Sequence, residues 1–249
     1  EFRYLTENFG QGQIWGGYLA SDNKYNDEDR KDFHFLHKWQ INEQFNTNLE
    51  YNYASDKDYF AGLIANQILG GGGEGRLFLN LREAHGWTYG AYSSLGSGKY
   101  TSRFTSTASV RNVVTDSAVV EFVNEINRIR TEPVSQAELD LAKAKYIGNF
   151  VMETQKPGTI ASFALRTKTQ NLPADFYENY IKSIQAVTAQ DVQRVASKYF
   201  KANNQRIVIV GKGADVAHTL DRLGYPVHYY DAFANPVEKP VFKKEIPAG

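Results

Sequence analysis

The sequence predicts an α+β domain, with helices packed on a mostly antiparallel or mixed β-sheet. Three observations lead there. Two alternating runs, Thr88 to Ser94 and Tyr100 to Val110, flank Gly96-Ser97-Gly98, which is good turn chemistry, and they read as neighbouring antiparallel strands. Amphipathic helices then follow one another from Thr115. One opens with a capping box, Ser135 with Glu138, and another with the cap-and-acid start Thr188 and Asp191. Regular β–α–β alternation is missing, which argues against a doubly wound parallel sheet.

Taken in order, Gln13 to Ala20 reads as a strand, Asp22 to Asp32 as a polar loop, Phe33 to Gln40 as a short helix and Asn48 to Ala54 as a strand. Ser55 and Asp58 have capping-box spacing ahead of a helix that carries Phe60, Leu63, Ile64 and Ile68 on one face. Gly70 to Gly73 must end that helix, and Arg76 to Glu83 forms a second, short one. After the two strands, Val119, Phe122, Val123, Ile126 and Ile129 recur at helical spacing in Thr115 to Arg130. The helix opened by Ser135 turns Leu139, Ala142, Tyr146, Ile147 and Phe150 inward, and Pro157-Gly158 breaks the chain. Further helices include Thr188 to Tyr199. Arg206 to Val210 reads as a buried strand, Val216 to Leu223 as a helix stopped by Gly224, and Pro226 to Tyr230 as a last strand before an extended, proline-punctuated tail from Asp231.

Composition bounds the function. Of 249 residues, 42% are hydrophobic and 22% charged, enough for a real core. Lysine plus arginine, 28, equals aspartate plus glutamate, 28, so charge makes no case for nucleic acid or an anionic membrane. Cysteine is absent, which excludes disulfides and thiolate metal sites. No stretch approaches the ~20 apolar residues of a membrane-spanning helix. The chain begins Glu1-Phe2-Arg3 without a signal pattern and reads as a piece of a longer or processed polypeptide. Abundant tyrosine and asparagine favour the bacterial periplasm or cell envelope over the cytoplasm.

The richest stretch runs from Ile68 to Gly90. Its glycine tract, Gly70, Gly71, Gly72, Gly73 and Gly75, is not a P-loop, because a helix precedes it and Arg76-Leu77 stand where lysine and a hydroxyl residue belong. It terminates a helix, and its length leaves room for a ligand to approach the backbone. Arg82 and Tyr89, seven residues apart, are each ordinary alone. Beside the glycine loop, the guanidinium and phenol can together donate to a carbonyl or developing oxyanion. Among the five histidines only His34 and His37 are close, and with Lys38 next they do not form the His-x-x-Glu-His of an inverted zinc peptidase. Ile207 to Asp215 holds half a dinucleotide fingerprint, but the third glycine falls at Val216, so a strand-to-helix turn is the better reading.

From Asp58 onward the chain resembles the pitrilysin-type, insulinase-like zinc peptidase family. The carrying residues are Leu69 to Gly72, Gly75-Arg76-Leu77, Leu81-Arg82-Glu83, Gly86-Trp87-Thr88-Tyr89-Gly90, the Val134 to Leu139 helix start, Ile184 to Tyr199 and Ile207 to Gly211. The resemblance implies the non-zinc half of a peptide-enclosing pair. On it, Tyr89 and Arg82 are the catalytic candidates, and Gly70, Gly71, Gly72, Gly73 and Gly75 receive an extended peptide. Zinc sits on a homologous partner half, no cofactor is bound by this chain, and the isolated chain is inactive. The implied organisation is a poorly matched segment over 1–53, the family domain over 54–230 and an extended tail over 231–249. Two rivals remain at this point: a non-enzymatic peptide-binding or scaffold subunit on the same fold, and an unrelated enzyme using the glycine loop for phosphate.

Overall fold

The computed structural model describes residues 57–96, 103–201 and 204–240 in full, and the backbone alone of residues 2–6, 10–15 and 36–39. The chain divides into two compact units, Glu1–Asn48 and Leu49–Gly249.

The first unit holds an antiparallel meander of β1 (Phe2–Thr6), β2 (Gly10–Trp15) and β3 (Leu36–Trp39). Phe2 stands opposite Ile14 and Gly12 opposite Trp39. Strand β1 has no counterpart in the sequence reading, and β3 corrects the helix expected over Phe33 to Gln40. Four residues are too few for period two and period 3.6 to be told apart, so pairing with β2 decides the outcome. The polar loop expected over Asp22 to Asp32, the strand expected over Asn48 to Ala54, and Ser55 lie outside the described residues.

The second unit is built around α1 (Tyr59–Gly70), which packs against helices and sheet alike. Its sequence is apolar almost all round, the pattern of a central helix rather than a surface one. Ile64, Ala65 and Leu69 are fully enclosed. A short turn, α2 (Arg76–Phe78), runs into a wide π-helical turn over Leu79–Ala84 and then into the hairpin of β4 (Thr88–Leu95) and β5 (Phe104–Val110). Next come α3 (Thr115–Thr131), α4 (Gln136–Thr154), α5 (Pro157–Thr169), α6 (Tyr180–Ala186) and α7 (Ala189–Tyr199). The result is a mostly helical α+β domain with a small antiparallel sheet, as the sequence predicts.

Both expected helix starts form complete capping boxes. Ser135 Oγ accepts from the Glu138 amide, Thr188 Oγ1 accepts from the Asp191 amide, and each acid returns a bond to its cap backbone. Pro157 occupies the first turn of α5, where its missing N–H costs nothing. An aromatic cluster ties α1, α4, α5 and α6 together: Phe60 stacks on Phe176 at 5.6 Å, Phe150 on Tyr180 at 4.4 Å and Phe163 on Tyr177 at 3.9 Å.

The capping box expected of Ser55 with Asp58 involves a residue outside the described ones, and Asp58 itself has further work. It precedes α1, but its side chain makes no cap bond. The fully buried carboxylate instead accepts from Arg194 at 2.6 Å, Lys198 at 2.9 Å and the Tyr199 hydroxyl at 3.1 Å, pinning the start of α1 to the end of α7. Burial alone would raise its pKa, but the bonds from Lys198, Arg194 and Tyr199 outweigh it and hold the group at about 2.

The C-terminal part holds α8 (Gly213–Leu220), a single 3₁₀ turn ending at Gly224, and the hairpin of β6 (Tyr229–Tyr230) and β7 (Pro236–Val237). The tail expected to run extended from Asp231 therefore turns back. Asp231 Oδ1 accepts from the amides of Phe233 and Asn235, both at 2.8 Å, and closes the turn. The buried strand expected over Arg206 to Val210 is also corrected. Among the described residues it joins no ladder, and Val208 and Val210 are 82% and 95% exposed. A β-branched run favours extended backbone, but a strand exists only with a neighbour to accept its hydrogen bonds.

Candidate functional site

The glycine tract is a packed corner. None of its glycines takes a positive φ; Gly71, at φ −74°, ends α1 and donates to the Gln67 carbonyl at 3.3 Å. Steric room explains most of the run instead. A Cβ on Gly70 would fall 2.6 Å from the Ser93 backbone nitrogen, and one on Gly75 would fall 2.8 Å from the Gly70 Cα. At Gly71 and Gly72 it would meet the Gln67 side chain and the Lys145 ammonium, both at 2.6 Å. Gly73 differs. A Cβ there meets only the Phe78 ring, at an ordinary 3.8 Å, and the residue faces solvent. Of the tract, Gly73 is the position where an added Cβ meets least.

Two ion pairs hold this corner against α4. Lys145 pairs with Glu74 at 2.5 Å, and that hydrogen bond lowers the Glu74 pKa. Arg76, 7% exposed, grips Glu138 through Nε at 2.7 Å and Nη2 at 3.2 Å. Beside the glycines, Gln67, Ile68, Glu74, Glu138, Leu141, Ala142 and Lys145 line a shallow, open concavity.

Arg82 rides on the wide turn. Leu81 is fully buried beneath it, and Asn80 Nδ2 donates to Glu121 at 2.8 Å and Glu125 at 2.9 Å on α3. With its neighbours on the turn so fixed, Arg82 points outward with its side chain 45% exposed. Its guanidinium lies 4.9 Å from the Phe78 ring centre and 3.4 Å from Glu83. Such π-helical insertions are rare and concentrate at functional sites. Gly86, at φ +63°, then makes the left-handed turn into β4, where a side chain would be strained.

Tyr89 sits in a β-bulge. Pairing jumps from Thr88 opposite Val110 to Ala91 opposite Ala108, so Tyr89 and Gly90 together face Ser109. The Thr88 hydroxyl fixes the irregularity, donating to the Ser109 carbonyl at 2.7 Å and accepting from the Gly90 amide at 3.1 Å. A bulge re-aims a side chain, and here it turns the phenol into solvent, 94% exposed. Among the described residues no hydrogen bond joins Tyr89 to Arg82, and neither lines the concavity beside the glycines. The structure therefore presents three separate features: an outward arginine, an outward tyrosine and a glycine corner with a concavity. The bulge and the wide turn were invisible to residue spacing, because both arise from register rather than composition.

Among the described residues no three His, Cys, Asp or Glu side chains stand close enough together to hold a metal ion, and no helix is long and apolar enough to cross a membrane. His34 lies outside the described residues, and His37 is placed by backbone alone, in β3 opposite Ile14.

The Peptidase M16 inactive domain family matches residues 19–146, just over half of the chain, and the chain belongs to that family. Among solved structures, the peptidase M16 inactive domain from Pseudomonas fluorescens superposes with a TM-score of 0.57 at 26% identity, covering 61% of this chain and 36% of that one. A putative zinc protease from Bordetella pertussis shares the fold with a TM-score of 0.53 at 17% identity, over 61% of this chain and 82% of that one. Curated relatives tell a different story. The LPS-assembly protein LptD of Acinetobacter baumannii is 63% identical over 84 residues, 34% of this chain, and that of Vibrio vulnificus is 43% identical over 77 residues, 31% of it. The chain spans about a tenth of the length of each. These matches correct the expectation of a periplasmic or envelope location drawn from tyrosine and asparagine content. The curated relatives bear the name of an LPS-assembly protein.

Proposed function

We propose that this inactive M16 domain is the substrate-holding half of a two-halved zinc endopeptidase. Arg82, Tyr89 and the glycine corner at Gly73 hold an extended peptide, and a homologous partner half carries the zinc. The observation that supports this most is Tyr89, a large aromatic in a bulge that exposes 94% of it. A strand tyrosine with a purely structural job would turn into the core, as Ala91 does two residues on. On this reading the chain's contribution is binding and orientation. The phenol donates to a peptide carbonyl, and the outward guanidinium adds a second donor of fixed charge. Gly73, with no Cβ contact closer than van der Waals distance, lets a peptide backbone approach.

Pairing the chain with a zinc-bearing half and measuring cleavage of an extended peptide tests the reading. Tyr89→Phe is expected to lower kcat by ~10²–10³, the usual cost of one preorganised donor, with the fold intact. Unchanged turnover in Tyr89→Phe, or no cleavage by any such pairing, points instead to a peptide-binding or scaffold subunit.

A further inference from the structure

Tyr92 links features that the candidate site otherwise holds apart. Its neighbours on β4, Ala91 and Ser93, turn into the core, and Tyr92 turns to the opposite face, 45% exposed. Its ring meets the Phe78 ring, with centroids 5.9 Å apart and planes tilted by 44°. The same Phe78 ring carries the Arg82 guanidinium at 4.9 Å, and a Cβ on Gly73 would meet it at 3.8 Å. One buried aromatic ring is therefore bordered by Gly73, Arg82 and Tyr92, all three open to solvent.

The far end of Tyr92 reaches back over the bulge. A Cβ on Gly90 would fall 2.6 Å from Tyr92 Cε2 and 2.7 Å from its hydroxyl oxygen. Gly90 has no positive φ, so the backbone does not require glycine there. The space is taken by the phenol, whose hydroxyl lies over the residue next to Tyr89, on the irregular part of β4. A tyrosine placed for packing alone would bury its ring. This one rests on Phe78 and lays its polar end along exposed backbone.

We propose that Tyr92 is a further peptide-holding residue, a second phenol that joins Gly73, Arg82 and the bulge at Tyr89 into one continuous surface for an extended peptide. This rests on the reading of the chain as a peptide-holding half. The chemistry suits a peptide backbone rather than a particular side chain. A phenol hydroxyl donates to any peptide carbonyl. Glu83 lies 3.4 Å from Arg82 and offsets its charge, so an acidic side chain gains little from the guanidinium. Phe78 and Gly90 act through Tyr92: the first supports its ring, and the second leaves it room.

The test is a titration of a labelled extended peptide against the full chain and its variants Tyr92→Phe, Tyr92→Ala, Gly90→Ala and the double variant of the last two. Tyr92→Phe keeps the ring on Phe78 and loses the hydroxyl, which is expected to weaken binding ~3–10-fold, and Tyr92→Ala is expected to weaken it further. Gly90→Ala clashes only with the free end of a side chain, so the melting temperature is expected to hold while the displaced phenol weakens binding as Tyr92→Phe does. Once Tyr92→Ala has removed the ring, adding Gly90→Ala is expected to change nothing more. Wild-type isotherms for Tyr92→Phe and Tyr92→Ala, with Tyr89→Phe still weakened, overturn the role of Tyr92 and leave the peptide-holding reading standing. No binding by the wild type overturns both. Fully additive losses in the double variant overturn the link between Gly90 and Tyr92. Should Tyr92→Ala not fold, Tyr92→Phe and Gly90→Ala decide.

Discussion

Arg76 and Glu138, sixty-two residues apart in sequence, form a two-pronged ion pair that fastens the glycine corner to α4. The same carboxylate closes the capping box with Ser135, so one side chain both starts a helix and locks the loop beside it. Burial would raise its pKa, but Arg76 and Ser135 together hold it at about 2. Glu138→Gln leaves the buried Arg76 charge uncompensated and is expected to cost about 3–5 kcal/mol in chemical denaturation. Pairing that change with Arg76→Met should cost less than the sum of the two singles.

Acid stability follows from Asp58. Its carboxyl titrates near 2 in the folded chain against 3.8 ordinarily, so its contribution is present above pH 3.8 and is lost as pH falls through 2. The shift corresponds to about 2 kcal/mol, and stability should fall over that window. Asp58→Asn should flatten the descent while lowering stability at neutral pH, both readable from denaturation midpoints across pH.

Glycine substitutions separate packing from binding. Gly75→Ala and Gly70→Ala place a Cβ against backbone at 2.8 and 2.6 Å and are expected to destabilise by about 1–3 kcal/mol. Gly73→Ala meets only the Phe78 ring, at an ordinary 3.8 Å, and should leave the melting temperature unchanged or slightly raised. If the corner receives a peptide, the same change weakens peptide binding.

The outward phenol makes a further distinction. Tyr89→Phe removes only an exposed hydroxyl, so folding stability should stay within about 0.5 kcal/mol. A larger loss in a thermal melt would mean that Tyr89 serves the fold.

Most of the second unit was legible because its signals are local. Ser135 and Thr188 announced their helices through hydroxyl and acid at fixed spacing, and Thr88 to Ser94 announced β4 by alternation. What failed depended on distant partners. Asp58 has the chemistry of a helix start, and nothing local told that cations more than a hundred residues away also bind it. Ile207 to Val210 has the composition of a buried strand without a described neighbour to pair with. At the candidate site, residue types flagged Arg82 and Tyr89, whereas their outward aim came from a π-helical turn and a bulge that only pairing register creates.

The central claim is that Tyr89 and Arg82 grip peptide backbone. Its most direct test is an anisotropy titration of a labelled extended peptide against this chain. Saturable binding is expected, weakened about tenfold in Tyr89→Phe, as one hydrogen bond of about 1.4 kcal/mol requires, and further in the double variant with Arg82→Ala. Superimposable isotherms for wild type and double variant would contradict it.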